Sequence, residues 1–195
     1  MIQWMVSRDW QVAVITPRRS PLQDLAGTDG IVGVLQADAD SNEIERVLDN
    51  LETPYAIVDD DLELLGEDGP LADLIVDRVA SLRDTGNLVI GAGTTGDLSR
   101  MIYHGPVVAL TKSRAGIVLS PEKSDDAEIL GIKLPRELPA GAPLGRALIV
   151  TAGQWNASRS PNPPSEVNLL ATCCDQLASK TSGRSEFGAP DLPAQ

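Results

Sequence analysis

Aromatic residues make up only 3% of the 195-residue chain, so its apolar core has to be built from Val, Ile, Leu and Ala. There is one histidine, His104, which leaves no material for a histidine-based zinc site or a Ser-His-Asp triad. Beside Gly105 and Pro106 it reads as a surface residue. The two cysteines, Cys173 and Cys174, are adjacent, with neither CxxC spacing nor partners for a disulfide framework, and read as free thiols. No apolar run approaches the roughly 20 residues of a membrane span. The opening MIQWMV is too short for a signal peptide and is followed, after Ser7, by Arg8 and Asp9. These absences make a cytoplasmic protein without direct membrane insertion the default expectation.

Positive charge is scarce as well. Sixteen Lys and Arg face 28 Asp and Glu, giving a formal charge of −12. Duplex binding draws most of its affinity from phosphate neutralisation, so DNA binding by this chain alone is not expected.

What is present alternates between strands and helices. QVAVIT (11–16), IVGVLQ (31–36) and YAIVDD (55–60) are short, β-branched apolar runs closed by turn residues or acids. Between the second and third, Asp40 and Glu43 form a capping box. They open a helix with Ile44, Val47, Leu48 and Leu51 on one face. Pro70 begins the clearest helix, PLADLIVDRVASLRDTG, whose Leu71, Leu74, Ile75, Val79 and Leu82 share a face and which stops at Gly86. The strand NLVIGAG follows, then a helical segment from Asp97 that Gly105 and Pro106 interrupt. GIVLSP, GIKLP and RALIVTAG are read as three further short strands. This order predicts an α/β domain with a largely parallel sheet over residues 1–155. Beyond Trp155 the composition turns to Ser, Pro, Ala and Gly, and residues 156–195 are read as a disordered tail.

Two stretches could carry chemistry. In YAIVDDDLELL an apolar strand delivers Asp59, Asp60 and Asp61 at its C-terminal end, the edge where open parallel sheets bind ligands. One carboxylate there can order Mg²⁺ and the next polarise a water, or the three can be a solvated acidic turn. NLVIGAGTTGDLSR contains G-x-G-x-x-G at Gly91, Gly93 and Gly96. A dinucleotide site would need an acid closing the next strand about 20 residues on. Glu122 is the candidate, but it stands 26 residues beyond Gly96, and Pro106 breaks the intervening helix. That context argues against a dinucleotide turn. No G-x-x-x-x-G-K-[ST] occurs, so the phosphate cradle of a P-loop NTPase is absent from the sequence.

In collinear order over roughly residues 5–150, VITPRRSPLQDLAG, YAIVDDDLELL, LVIGAGTTGDL, TKSRAGIVLSP and LGIKLPRELPAGAPLGRALIV resemble the C-terminal part of an FtsK/SpoIIIE-type ATPase module. The last, degenerate module of the type VII secretion motor ATPases is the nearest variety. The resemblance implies a partial RecA-like P-loop NTPase domain. It makes YAIVDDDLELL similar to the Walker-B strand, with Asp59 on the metal and nucleotide side. Asp60 then stands in the catalytic position, where active members carry glutamate. LVIGAGTT looks like the sensor strand, with Thr94 facing the γ-phosphate position, and Arg114 corresponds to a basic residue at the subunit interface. The family's first strand and Walker-A loop would precede Met1, and that strand would lie between the sensor strand and GIVLSP.

ATP and Mg²⁺ are the cofactors this resemblance implies, bound weakly or not at all without a Walker-A loop. The implied partners are related FtsK/SpoIIIE-type motor ATPase subunits, with DNA by resemblance only and oligomers conceivable. Three functions follow. The first is a partial module that does not hydrolyse ATP alone and serves as a docking or assembly element of a secretion or DNA-translocation motor. The second is the nucleotide-binding half of a translocase completed by a separately encoded P-loop segment, and the third is an independent nucleotide-binding switch.

Overall fold

The computed structural model describes residues 1–82, 85–103, 105–121, 123–134, 146–151, 154–159 and 168–172. His104, Glu122, Cys173 and Cys174 lie outside them. Five helices, α1 (Ile2–Val6), α2 (Ser41–Asp49), α3 (Pro70–Ser81), α4 (Thr95–Arg100) and α5 (Gly105–Thr111), accompany eight strands among the described residues. The strands are β1 (Gln11–Thr16), β2 (Ile31–Gln36), β3 (Tyr55–Asp59), β4 (Leu88–Gly93), β5 (Gly116–Leu119), β6 (Arg146–Thr151), β7 (Gln154–Arg159) and β8 (Asn168–Thr172).

All eight strands join one sheet in the order β2-β1-β3-β4-β8-β5-β6-β7. β2, β1, β3 and β4 are mutually parallel, and the remaining pairings are antiparallel. β1 and β3 are buried along nearly their whole length, as expected of strands covered on both faces. Their residues alternate between two apolar layers. Ala13, Ile15, Ile57 and Val89 join the larger cluster with Leu71, Leu74, Ile75 and Leu110 of α3 and α5. Val12, Val14, Ala56, Val58 and Ile90 form the smaller one under Met5 of α1. The local signals act where the sequence puts them: Asp40 Oδ1 accepts from the Glu43 amide at 2.8 Å and caps α2, and Pro70 opens α3.

Three expectations are corrected. Residues 131–134 of GIKLP form no strand: Gly131 takes a left-handed φ of 74°, and the Ile132 amide turns back to the Ala127 carbonyl at 3.2 Å. Ile132 and Leu134 are still buried, so an apolar alternation here marks a packed turn rather than a ladder. The helical segment expected from Asp97 with an interruption at Gly105 and Pro106 begins at Thr95 and ends at Arg100, and Gly105 and Pro106 open a second helix, α5. Finally, two segments of the stretch read as a tail are strands of the sheet. β7 crosses the boundary expected at residue 155, and β8 lies between β4 and β5. The gap expected between the sensor strand and GIVLSP is thus filled by residues 168–172.

Candidate functional site

The carboxyl ends of β1, β3 and β4 bring an acidic cluster together. Asp59 closes β3 in register with Ile15 of β1 and Gly91 of β4, which buries it completely. Neither of its carboxylate oxygens has a hydrogen-bond partner. Burial first, then the charges of Asp60, Asp61 and Glu63, push its pKa well above the ordinary carboxylate range. Buried carboxylates are nearly always paired, so an orphan at this edge makes Asp59 the centre of a candidate site.

The next two acids are committed elsewhere. Asp60 accepts a 2.7 Å hydrogen bond from the Ser20 hydroxyl, and its amide donates to the Ile15 carbonyl at 3.0 Å. Asp61 sits in the left-handed region, φ 70°, which aspartate tolerates, and grips Arg18. Arg18 Nε and Nη2 donate to its two oxygens at 2.5 and 2.7 Å, a bidentate fork. The hydrogen bond and charge of Asp61 raise the pKa of Arg18 further. The loop after β1 is thereby stapled to the loop after β3 at two points.

Glu63 completes the cluster from the 3-10 turn Leu62–Leu64. Its Oε1 accepts the Thr94 amide at 3.3 Å, while its Oε2 is buried and unpartnered. The glycines of β4 have their explanation here. A Cβ on Gly91 would come within 2.8 Å of Leu62 Cδ2 and 2.9 Å of Leu110 Cδ1, and one on Gly93 would overlap Glu63. These glycines admit side chains onto the end of β4. Gly96, by contrast, borders open space, with nothing within 4 Å of where a Cβ would stand.

Thr94 lies at the same edge, exposed, as the N-cap of α4. Its hydroxyl donates to Asp97 Oδ2 at 2.8 Å and accepts from the Asp97 amide at 3.4 Å. Arg114 is not brought to the site. It is exposed, with φ 48°, ahead of β5 at the amino edge of the sheet, opposite Asp59 and Thr94. Arg18, Ser20 and Glu63 escaped the sequence reading. Ser20 before Pro21 was a readable cap signal, since its hydroxyl accepts from the Leu22 amide at 3.3 Å and opens the 3-10 turn Pro21–Leu25.

Asp59 offers one free carboxylate to a cation, but the other acids do not complete a cage. Asp60 and Asp61 are held by Ser20 and Arg18, and no group of three or more His, Cys, Asp or Glu among the described residues is arranged to hold a metal. The described residues alone therefore do not form an all-protein cage, and an ion at Asp59 would need phosphate or water oxygens as further ligands. No helix among the described residues is long and apolar enough to cross a membrane.

The parallel order β2-β1-β3-β4, flanked by helices and with acids at its carboxyl edge, defines an α/β fold. The fold is similar to that of Thermomonospora curvata EccC (ATPases 2 and 3), solved in complex with a signal sequence peptide. That likeness has a TM-score of 0.53 at 22% identity and covers 80% of this chain but 31% of the EccC chain. The cytoplasmic domain of EssC matches with a TM-score of 0.49 at 16% identity, over 79% of this chain and 34% of that one. At such identities the EccC likeness establishes the fold alone. No protein-family profile and no curated protein matches the chain.

Proposed function

We propose that the chain is an ATPase-like module that does not hydrolyse ATP by itself and serves as a docking or assembly element of a secretion or DNA-translocation motor. Its partners in this reading are related FtsK/SpoIIIE-type motor subunits in the cytoplasm, through which it reaches the membrane. One observation carries the reading. The place beside β4, where the resemblance would put a strand leading into a phosphate cradle, is taken by the antiparallel β8. Asp60, in the position of the catalytic glutamate, is held by Ser20 in support of the same reading. The test is steady-state ATP turnover by the purified chain together with its co-migration with a defined motor subunit. No turnover and a stable complex are expected; turnover that Asp59→Ala abolishes would overturn it.

The orphaned Asp59 favours a second reading, in which the chain is the nucleotide-binding half of a translocase. A separately encoded P-loop segment would then supply the cradle, with Mg²⁺ and ATP bound between the two and Asp59 as a metal ligand. Adding a strand–P-loop–helix polypeptide in trans tests it. Turnover that appears only in the mixture supports this reading, and its absence leaves the docking module.

A further inference from the structure

Among the described strands, β8 alone has no sequence neighbour beside it. It lies between β4 and β5, while β7, which precedes it, is three places away. It pairs with β4 over five positions, from Gly93↔Asn168 to Val89↔Thr172, and meets β5 at Ile117↔Leu169. Without it, the parallel half and β5-β6-β7 share no ladder. Five residues close the seam of the sheet.

The connection lets those residues come from either of two places. β7 runs with β5 and β8 runs against it, so the end of β7 and the start of β8 face the same end of the sheet. Three inter-strand steps separate them, about 14 Å in all. Residues 160–167 can reach up to roughly 30 Å. That reach is about twice the gap, so the length of the connection does not by itself tie the strand to its own chain.

An open apolar strip borders the seam. Ile149 of β6 is 39% exposed and pairs with Ile117 of β5, which is half-buried, as is Leu119 on the same face. The smaller apolar cluster that covers β1, β3 and β4 includes no residue of β5 or β6. A surface of this kind beside a non-local strand suits a self-complementary contact.

We propose that the slot between β4 and β5 is an acceptor for residues 168–172 of a second copy, and that two chains pair by exchanging β8 reciprocally. Exchange keeps every backbone hydrogen bond of the seam, and the half-open Ile117–Ile149 strip beside it is the apolar surface such a pair would have available to cover. The interface rests on the sheet alone and stands whether or not the chain binds nucleotide.

The test uses the full chain with Ile90→Cys and Ala171→Cys, a cross-strand pair, in a Cys173→Ser, Cys174→Ser background. Two batches of different tag length are reduced, mixed, incubated and oxidised, then run without reductant. A mixed-length cross-linked band is expected, growing about tenfold relative to monomer over a roughly hundredfold rise in concentration, as mass action requires. Cross-linking confined to single chains at every concentration overturns the proposal, and so does the absence of any cross-link, since β8 would then not lie beside β4. If the Ile90→Cys chain fails to fold, Ala92→Cys with Leu169→Cys gives the same readout from a neighbouring pair.

Discussion

Gly93 and Glu63 occupy space that admits no side chain between them. A Cβ at 93 would overlap Glu63 Oε2, which is buried and already without a partner. Gly93→Ala therefore has to expel Glu63 and with it the bond to the Thr94 amide. Because the displaced atom is the far end of a flexible side chain and Leu98 at 3.1 Å has only to yield slightly, the expected loss is about 1 kcal/mol, the low end of overpacking. Gly96→Ala is the control, since Gly96 lies within α4 with nothing within 4 Å. It should gain about 0.5–1 kcal/mol from helix propensity. Urea unfolding of the two variants checks both signs.

Asp59 gives the stability a definite pH dependence. Its folded pKa is raised above the ordinary value of 3.8, so the folded state holds its proton where the unfolded state has released it. Stability from this group is complete below the ordinary value and declines as pH rises through the window up to the folded pKa. The slope is at most about 1.4 kcal/mol per pH unit for one group. Asp59→Asn should remove that decline, so the variant's stability curve stays flatter above the ordinary carboxylate range. Parallel curves for the two proteins would show that Asp59 ionises alike in both states.

The two staples between the loops differ in worth. Arg18 is 67% exposed, so solvent and salt screen its fork on Asp61, and Arg18→Ala should cost less than the loss of Ser20. Ser20 is half-buried, holds Asp60 and also caps the 3-10 turn that follows. Ser20→Ala should cost about 1–2 kcal/mol, the combined scale of a cap and a hydrogen bond. Added salt should narrow the Arg18→Ala effect and leave that of Ser20→Ala nearly unchanged.

DNA binding by the isolated chain should be absent. The formal charge of −12 opposes duplex binding. A gel shift in the low-salt limit is the sensitive measurement, and a steeply salt-dependent complex would contradict this expectation.

How far the sequence disclosed this protein depends on how local each signal is. Asp40 and Glu43 cap α2 and Pro70 opens α3 because those residues act within three or four positions. β3 was readable because a fully buried parallel strand must be continuously apolar. Asp59 was legible as the residue such a strand delivers to its carboxyl edge. The orphaning of its carboxylate was not, because that depends on neighbours engaging Asp60 and Asp61 from 40 and 43 residues away. Thr94 carried a second local signal, that of a cap. Thr94 with Asp97 is a helix-capping pair, and its hydroxyl is spent there. β8 carried almost no local signal. NLLAT is five residues in a polar, proline-rich stretch, and its partner β4 ends 75 positions earlier, at Gly93.

That separation sets a schedule. Leu119 completes β5 49 residues before Asn168 begins β8, so during synthesis the two inner edges exist before the strand that joins them. At about 5–20 residues per second the interval is roughly 2–10 s. For those seconds β4 and β5 present unpaired amides and carbonyls to each other and to any other nascent chain, the condition under which strand edges recruit foreign partners. Slower translation between codons 120 and 167 would lengthen that exposure, and the yield of soluble protein should fall accordingly.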